Sequence, residues 1–237
     1  CDTALVDLPV PTKADYEFIG WFTAQEDGEA VPPGTIFSTI GNSDITLYAR
    51  WKSVWLYSVN NGQLQIDGTK YGTDLQGSLQ IPSMIDGCPV ERIGTKAFYN
   101  CRRVTSVSIP ETVKTIGERA FACCTTMTEV AIPNSVTMIG TEAFSNCKQL
   151  RNVSFGDNLK TIGESAFSYC TSLTNAVIPE GTTTIGGGVF NECSALKTVV
   201  LPNSITSMGS DVFYKCHSLE SANIPCRLTK IPDYMFY

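Results

Sequence analysis

The feature that most constrains this chain is a repeat of 23 residues that occupies most of its length. Each unit carries an Ile-Gly pair, then a Phe, a Cys and a further apolar residue in constant register. The repeated aromatic and thiol residues are Phe98, Phe121, Phe144, Phe167, Phe190, Phe213 and Phe236, and Cys101, Cys124, Cys147, Cys170, Cys193 and Cys216. Because chance does not keep several columns in phase over so many periods, the sequence predicts a stack of similar coils.

One unit shows how such a coil is built. Val153 and Phe155 are predicted to point into the coil from a short strand. Asn152 and Ser154, which alternate with them, are predicted to face solvent. The Gly-x-x-Ala-Phe step before each Cys predicts one tight helical or 3₁₀ turn, with the Phe inside the coil. Since a single coil cannot bury its own apolar edge, stacking must stabilise it.

The unit from Ala143 through Cys147 to Phe155 resembles the BspA-type leucine-rich repeat of bacterial surface proteins. The resemblance extends over residues 56–237. It implies a β-rich leucine-rich repeat solenoid of 23-residue coils, each with a short strand and a tight turn. It also implies a secreted or cell-surface protein that acts in adhesion, host-protein binding or co-aggregation, with no catalytic residues and no cofactor.

The spacing of the repeat divides the solenoid into two parts. Residues 53–90 resemble the N-terminal starting unit of that family, and residues 91–237 carry the 23-residue repeats. Within the starting unit, Ile81 and Ile109 are 28 residues apart rather than 23, so five extra residues must form a turn, which we expect at 86–88. Because the repeat stops in mid-unit, we expect the C-terminal coil to be incomplete.

The first 52 residues follow a different pattern. Segments Tyr16–Thr23 and Leu47–Lys52 resemble the Listeria–Bacteroides repeat, a small β-grasp-like module found in tandem on surface proteins. The usual opening strand and Gly-Gly turn are missing before the first residue, so we expect a partial copy in residues 1–52. Apolar alternation in both segments predicts short, half-buried strands. Trp21 and Trp51 are interpreted as core residues rather than as a ligand site.

Charge and hydropathy exclude some kinds of partner. The net charge is -6, the pI is near 4.8 and no basic run occurs, whereas nucleic acids and anionic membranes require a clustered basic face. No apolar stretch approaches the roughly 20 residues of a membrane-spanning helix. We therefore expect an extracellular, monomeric module with no nucleic-acid partner and no membrane insertion. Its expected partner is a surface protein or glycan of a host or neighbouring cell.

The cysteine column leaves three interpretations. Each coil contributes one Cys, so the thiols form a line, whereas structural zinc needs four converging ligands. Buried free thiols, which donate weakly to neighbouring carbonyls, are favoured over disulfides between coils and over metal. Cys1, Cys88, Cys123 and Cys226 lie outside the column, and no spacing favours a particular pair among them.

The glycine column could form a flexible hinge or ligand-approach site, a turn that needs positive φ, or a close contact between coils. It contains Gly94, Gly117, Gly140, Gly163, Gly186 and Gly209. A turn that requires positive φ is the favoured explanation. However, Pro232 occupies the same column in the last unit and cannot adopt positive φ. Close packing between coils is therefore the alternative.

Candidates for catalysis or metal binding are few. His217 is the only histidine, and it follows Cys216 at a position that is polar and variable in other units, so it is interpreted as a solvated turn residue. Acidic residues near the tight turns, such as Glu118 and Glu142, do not share one register. The acidic turn at residues 26–29 lacks the ligand pattern of a calcium loop. We expect a protein that is not an enzyme and that holds no metal.

Function is therefore expected on the outward strand positions, which align in columns along a solenoid. The candidate ligand-binding residues are Glu129, Asn152, Ser154, Asn175, Val177, Thr198 and Val200 from the strands, and Tyr99, Tyr169 and Tyr214 from the turn after the Phe. Aromatic side chains often anchor protein interfaces. The leading hypothesis is a surface binding or adhesion module, and the alternative is a structural spacer or stalk without a ligand of its own.

Overall fold

The computed structural model describes residues 8–32, 46–228 and 230–236. The chain divides into two compact units, Cys1–Trp55 and Leu56–Tyr237. The second unit is a β-solenoid of about seven turns, with coils of about 23 residues and almost no helix. The predicted solenoid is therefore confirmed. The finer boundaries after residues 52 and 90 stay predictions.

The first unit contains two antiparallel strands, β1 (Tyr16–Phe22) and β2 (Tyr48–Ser53). Their register shifts after Phe18, as at a β-bulge. The ring of Phe18 lies edge-to-face against Trp21 and Trp51, with centroids 5.7 and 5.5 Å away. Both tryptophans are half-buried in this aromatic cluster, so they serve the packing of the unit, as predicted.

The starting unit of the solenoid has strands β3 (Trp55–Asn60), β4 (Gln63–Thr69), β5 (Gln76–Gln80), β6 (Met84–Ile85) and β7 (Cys88–Ile93), with a 3₁₀ turn at Gly72–Asp74. Strands β6 and β7 pair antiparallel as a hairpin. The turn residues Asp86 and Gly87 have φ of 48° and 77°. An Asp-Gly pair with two positive φ angles is typical of a two-residue hairpin turn. The extra turn predicted at 86–88 is therefore confirmed.

Each later coil contributes a strand to one parallel array, and among the described residues all coils but the last also contribute a strand to a second array. The strands predicted from the sequence are β8 (Arg103–Ser108), β10 (Glu129–Ala131), β12 (Asn152–Ser154), β14 (Asn175–Val177), β16 (Thr198–Val200) and β18 (Ser221–Ala222). The second array, which the sequence did not predict, consists of two-residue strands β9 (Thr115–Ile116), β11 (Met138–Ile139), β13 (Thr161–Ile162), β15 (Thr184–Ile185) and β17 (Ser207–Met208). Each of these short strands ends directly before a repeated glycine.

The two arrays differ in continuity. The two-residue strands belong to one continuous sheet that runs from β17 through β7 and β4 to β3. The longer strands form two separate sheets, β12-β10-β8-β5 and β14-β16-β18. Partners are 23 residues apart in both arrays, for example Val130 opposite Val153 and Ile139 opposite Ile162. The ladder of longer strands is therefore interrupted between β12 and β14.

The turn segments, from each repeated Gly to the repeated Cys, alternate their hydrogen bonds. The N–H of Ala120 donates to the carbonyl three residues before it, whereas the N–H of Phe121 donates to the Ala143 carbonyl of the next coil at 2.8 Å. Left-handed residues recur at two positions of this segment, here Arg119 (φ 52°) and Cys123 (φ 63°). The predicted tight turn thus takes the form of consecutive turns, each with 3₁₀-type hydrogen bonds, that also join neighbouring coils.

Stacked phenylalanines fill the interior. Neighbouring rings of the column lie 5.2–6.0 Å apart between centroids and within 17° of parallel. Phe144, between Phe121 and Phe167, is fully buried. Phe236, in the last coil, is 52% exposed although its ring stacks on Phe213. The phenylalanine column therefore forms the core, as the repeat predicted.

The glycine column requires a correction. None of its six glycines has a positive φ, so the favoured explanation, a left-handed turn, is wrong. A Cβ added at any of them would lie only 2.3–2.8 Å from atoms of the preceding coil. At Gly163 those atoms are the backbone of Gly140 and Thr141, at 2.6 Å. The glycines therefore permit close packing between coils, which was the alternative.

Candidate ligand-binding face

The outward side chains of the longer strands form one surface of the solenoid, which we name the strand face. It carries seven predicted site residues, namely Glu129, Asn152, Ser154, Asn175, Val177, Thr198 and Val200. All are exposed except Thr198, which is half-buried. The inward neighbours Val130, Ala176 and Val199 are buried. The period of two along each strand thus separates the core from this face.

A first depression, of about 440 Å³, covers the N-terminal half of the strand face. Four neighbouring strands contribute to it, from β5 to β12. Its polar lining residues are Ser78, Gln80, Ser106, Ser108, Glu129, Asn152 and Ser154. The amide of Gln80 donates to the Ser78 hydroxyl at 2.8 Å. Because Glu129 supplies the only charge among the lining residues, this depression offers mainly uncharged hydrogen-bonding groups.

A second depression, of about 380 Å³, lies where the ladder is interrupted. It is lined by Asn152, Val153, Ser154, Phe155, Asp157, Asn175, Val177 and Pro179. The N–H of Thr174 reaches the Arg151 carbonyl at 3.4 Å, whereas the equivalent bonds of the coils on either side are 2.8 Å long. The step between these two coils is therefore looser on this side than its neighbours.

A hydrogen-bonded pair fixes one side chain of the second depression. The Thr198 hydroxyl donates to Asn175 Oδ1 at 2.5 Å, and Asn175 Nδ2 donates to the Thr174 hydroxyl at 3.0 Å. Thr198 itself lines neither depression, and neither does Val200. Asn175 therefore presents its remaining N–H in a fixed orientation, which lowers the entropic cost of binding a ligand.

The three predicted tyrosines lie elsewhere. Tyr99, Tyr169 and Tyr214 belong to the turn segments and line neither depression. Tyr99 and Tyr214 directly follow a column phenylalanine, whereas Tyr169 is one residue further along, at a left-handed position with φ of 59°. The structure thus brings the strand residues together and places the tyrosines in a different part of the coil.

The cysteine column consists of free, buried thiols, as predicted. From Cys124 to Cys216, each S–H donates to a phenylalanine carbonyl of the preceding coil, at 3.0–3.3 Å. Cys101 makes a longer contact, 3.6 Å, to the Gly72 carbonyl. Burial raises the pKa of Cys147 to about 12 and that of Cys101 to about 11. A protonated, enclosed thiol is a poor nucleophile and a poor metal ligand, so this column is structural.

The cysteines outside the column show no pairing. Cys88 and Cys226 are free and exposed, and Cys123 is free and half-buried. Cys1 lies outside the described residues. Within the part of the chain that the structure describes, no group of three or more His, Cys, Asp or Glu residues could hold a metal ion. No described helix is long and apolar enough to cross a membrane.

His217 does not form a catalytic pair. The imidazole is on an exposed turn residue, while the adjacent Cys216 is buried and donates its S–H to the Phe190 carbonyl. Desolvation raises the pKa of Cys216 to about 12. The thiol is therefore held away from ionisation rather than activated by a neighbouring base.

Sequence reasoning did not identify Phe155, Asp157 and Pro179 as site residues. One signal was present, since Phe155-Gly156 departs from the Ile-Pro pair that ends most of the strands. The residues at 78 and 80 were overlooked because the starting unit lacks the register of the later coils. The departure from the repeat at Phe155-Gly156 therefore indicated the second depression better than the repeated columns did.

Comparison with known sequences supports these features. The model of the BspA type leucine-rich repeat region matches in six copies, over residues 76–170 and 116–237. The Listeria-Bacteroides repeat domain matches residues 2–50. A search of curated proteins found no significant match.

Solved structures with similar folds come from several bacteria. A leucine-rich repeat protein of T. pallidum is 28% identical, with a TM-score of 0.64 over 76% of this chain and 96% of that one. A leucine-rich cell surface protein from Faecalibacterium prausnitzii is 32% identical, with a TM-score of 0.70 and coverage of 76% and 49%. A leucine-rich repeat protein from Bacteroides ovatus is 29% identical, with a TM-score of 0.61 and coverage of 78% and 55%. The chain thus spans about half the length of the last two.

Proposed function

The chain belongs to the BspA-type leucine-rich repeat family and carries a Listeria–Bacteroides repeat at its N-terminal end, and from this premise we propose that it is a non-enzymatic binding module of a bacterial surface protein. Its strand face binds a protein or glycan of a host or neighbouring cell. The N-terminal repeat spaces or tethers the solenoid. The module acts as a monomer outside the cell.

The observation that carries this proposal is the coincidence of two depressions with the strand face. Their volumes, about 440 and 380 Å³, fall in the range of ligand sites. Most of their lining residues belong to paired strands, so the backbone that presents them is rigid. Beside the polar groups, Val177 and Val200 are 62% and 51% exposed, which adds apolar area for a ligand to bury.

The proposed location draws on the same comparisons. Repeats of both kinds are typical of bacterial surface proteins, and the F. prausnitzii structure is described as a cell surface protein. A structural spacer without a ligand is the competing role. Only a binding measurement separates the two, because both roles require the same stacked core.

The test is a panel of immobilised matrix proteins, mucins and glycans probed with the whole chain. A triple variant, Asn152→Ala, Val177→Ser and Val200→Ser, removes groups from the strand face without touching the core. The matched control, Met138→Ser, changes an exposed apolar residue of the two-residue array. We expect the triple variant to weaken binding roughly tenfold or more, and the control to leave it unchanged. Equal binding by all three proteins would place the ligand away from these strand residues, and binding by none would favour the spacer role.

A further inference from the structure

The interruption of the ladder has a local cause in the sequence. At the position of Phe155, the inner coils carry Ile109, Ile132, Ile178 and Leu201, all of which are buried, and the last coil carries Ile224, which is 46% exposed. Phe155 is only half-buried, and its ring lies edge-to-face on Phe167, with centroids 5.6 Å apart. Part of the ring is therefore exposed, and Phe155 lines the second depression.

The next residue, Gly156, also departs from the repeat. Gly156 replaces the proline of most other coils, and a Cβ there would lie 2.5 Å from the Pro133 carbonyl oxygen and 2.6 Å from Asn134 Cα. A residue with a Cβ could not approach the preceding coil so closely. Gly156 therefore allows its coil to lie close to the preceding one at this point.

We propose that the second depression is a subsite for a neutral sugar residue of a glycan, with the ring of Phe155 as part of its floor. This inference rests on the proposed function, because it places the sugar on the strand face. Val153, Val177 and Pro179 are the other apolar lining residues. Such a surface suits the C–H face of a pyranose, which is apolar, while the hydroxyl groups at its edge need polar partners.

The rim of the depression supplies those partners. Asn152, Ser154, Asp157 and Asn175 surround the floor. Amide and hydroxyl side chains donate and accept hydrogen bonds, and a carboxylate accepts them. Together they can pair with the hydroxyl groups of a sugar, which also donate and accept. No lysine or arginine lines the depression, so an acidic ligand would meet the Asp157 carboxylate without a counter-charge. This charge pattern favours a neutral ligand.

An extended peptide fits the same place less well. Strand addition needs a free edge along several residues, whereas β12 and β14 have three residues each and face each other across the gap. Their other edges are already paired with β10 and β16. The opening is therefore a short pocket between two coils rather than a groove for a strand.

The experiment is a calorimetric titration of the whole chain with neutral di- and trisaccharides of glucose, galactose, mannose or N-acetylglucosamine. Phe155→Ile restores the residue type of the other coils, so the fold is retained, which denaturant unfolding would check. Val177→Ser and Val200→Ser are a matched pair, since both valines are exposed in one column and only Val177 lines the depression. We expect at least one sugar to bind. Phe155→Ile should weaken it roughly tenfold or more, Val177→Ser less, and Val200→Ser not at all.

Several results would overturn the subsite. These are no binding of any neutral sugar at about 10 mM, equal binding by Phe155→Ile, or preferential binding of an acidic sugar or an extended peptide at this place. The proposed function is tested separately. If a matrix protein binds through the strand face and no sugar binds, the proposed binding function is supported and the sugar subsite is rejected. If neither a matrix protein nor a sugar binds, both proposals are rejected.

Discussion

The turn segments and the strand face belong to the same coils, yet their contacts between coils differ in regularity. In the turn segments, backbone bonds and thiol-to-carbonyl bonds join each coil to the next, and glycines without a Cβ allow the close approach. On the strand face the ladder is split once, at Phe155 and Gly156, and a depression opens there. The most regular columns are therefore structural, and the sugar subsite proposed above lies where the regularity fails.

The largest expected effect comes from the core beneath the turn segments. Phe144→Ala should lower the free energy of unfolding by about 3–5 kcal/mol, because it opens a cavity shared with the coils on both sides. Phe155→Ala, at the half-buried ring of the strand face, should cost clearly less. Urea denaturation of both variants measures the difference. A loss below about 1 kcal/mol for Phe144→Ala, or equal losses for the two variants, would contradict the assignment of Phe144 to the core and of Phe155 to the more exposed strand face.

A smaller effect should come from the glycine column. Gly163→Ala places a methyl group 2.6 Å from backbone atoms of Gly140 and Thr141, so the coils must separate. We expect a loss of about 1–3 kcal/mol from overpacking. Gly187→Ala is the control, since its new Cβ would meet nothing nearer than the Ser210 carbonyl oxygen at 3.3 Å. If the two substitutions cost the same in thermal or urea unfolding, close packing does not explain the column.

The remaining effect concerns the buried thiols and depends on pH. Burial raises the pKa of Cys147 to about 12, so its contribution to stability is complete below the unfolded pKa of roughly 8.5 and is lost as pH rises toward 12. In that window wild type should lose about 1.4 kcal/mol per pH unit more than Cys147→Ala. Parallel slopes for wild type and Cys147→Ala would show that the column thiol is not shielded.

Part of this structure was predictable because spacing alone determines it. The periods of the phenylalanines and cysteines imply stacked coils with an apolar interior, and alternation around Asn152 separates core from surface. The left-handed positions could not be foreseen, since residues such as Arg119 and Cys123 do not favour that conformation by themselves and adopt it only because hydrogen bonds between coils require it. The two-residue strands are too short to leave a periodic pattern.

The sequence predicted which strand positions face outward, but it did not predict the depression at Phe155. Outward strand positions were identified because their period is two, and the structure places Asn152, Ser154, Asn175 and Val177 around one depression. The opening itself depends on how Phe155 packs against Phe167 and how closely Gly156 approaches the preceding coil. Those are distances in space, which no spacing along the sequence encodes.

The most direct test of the account is hydrogen exchange at three equivalent backbone amides. Ile132 and Ile178 donate to the carbonyls of Ser154 and Val200 at 2.8 and 2.9 Å, whereas among the described residues no backbone acceptor is found for the N–H of Phe155, nor for that of Ile109 at the end of β8. The Phe155 amide should therefore exchange about tenfold faster or more than the other two in the free protein. Equal protection at all three amides would mean that the ladder is continuous and that the strand face does not open at this coil.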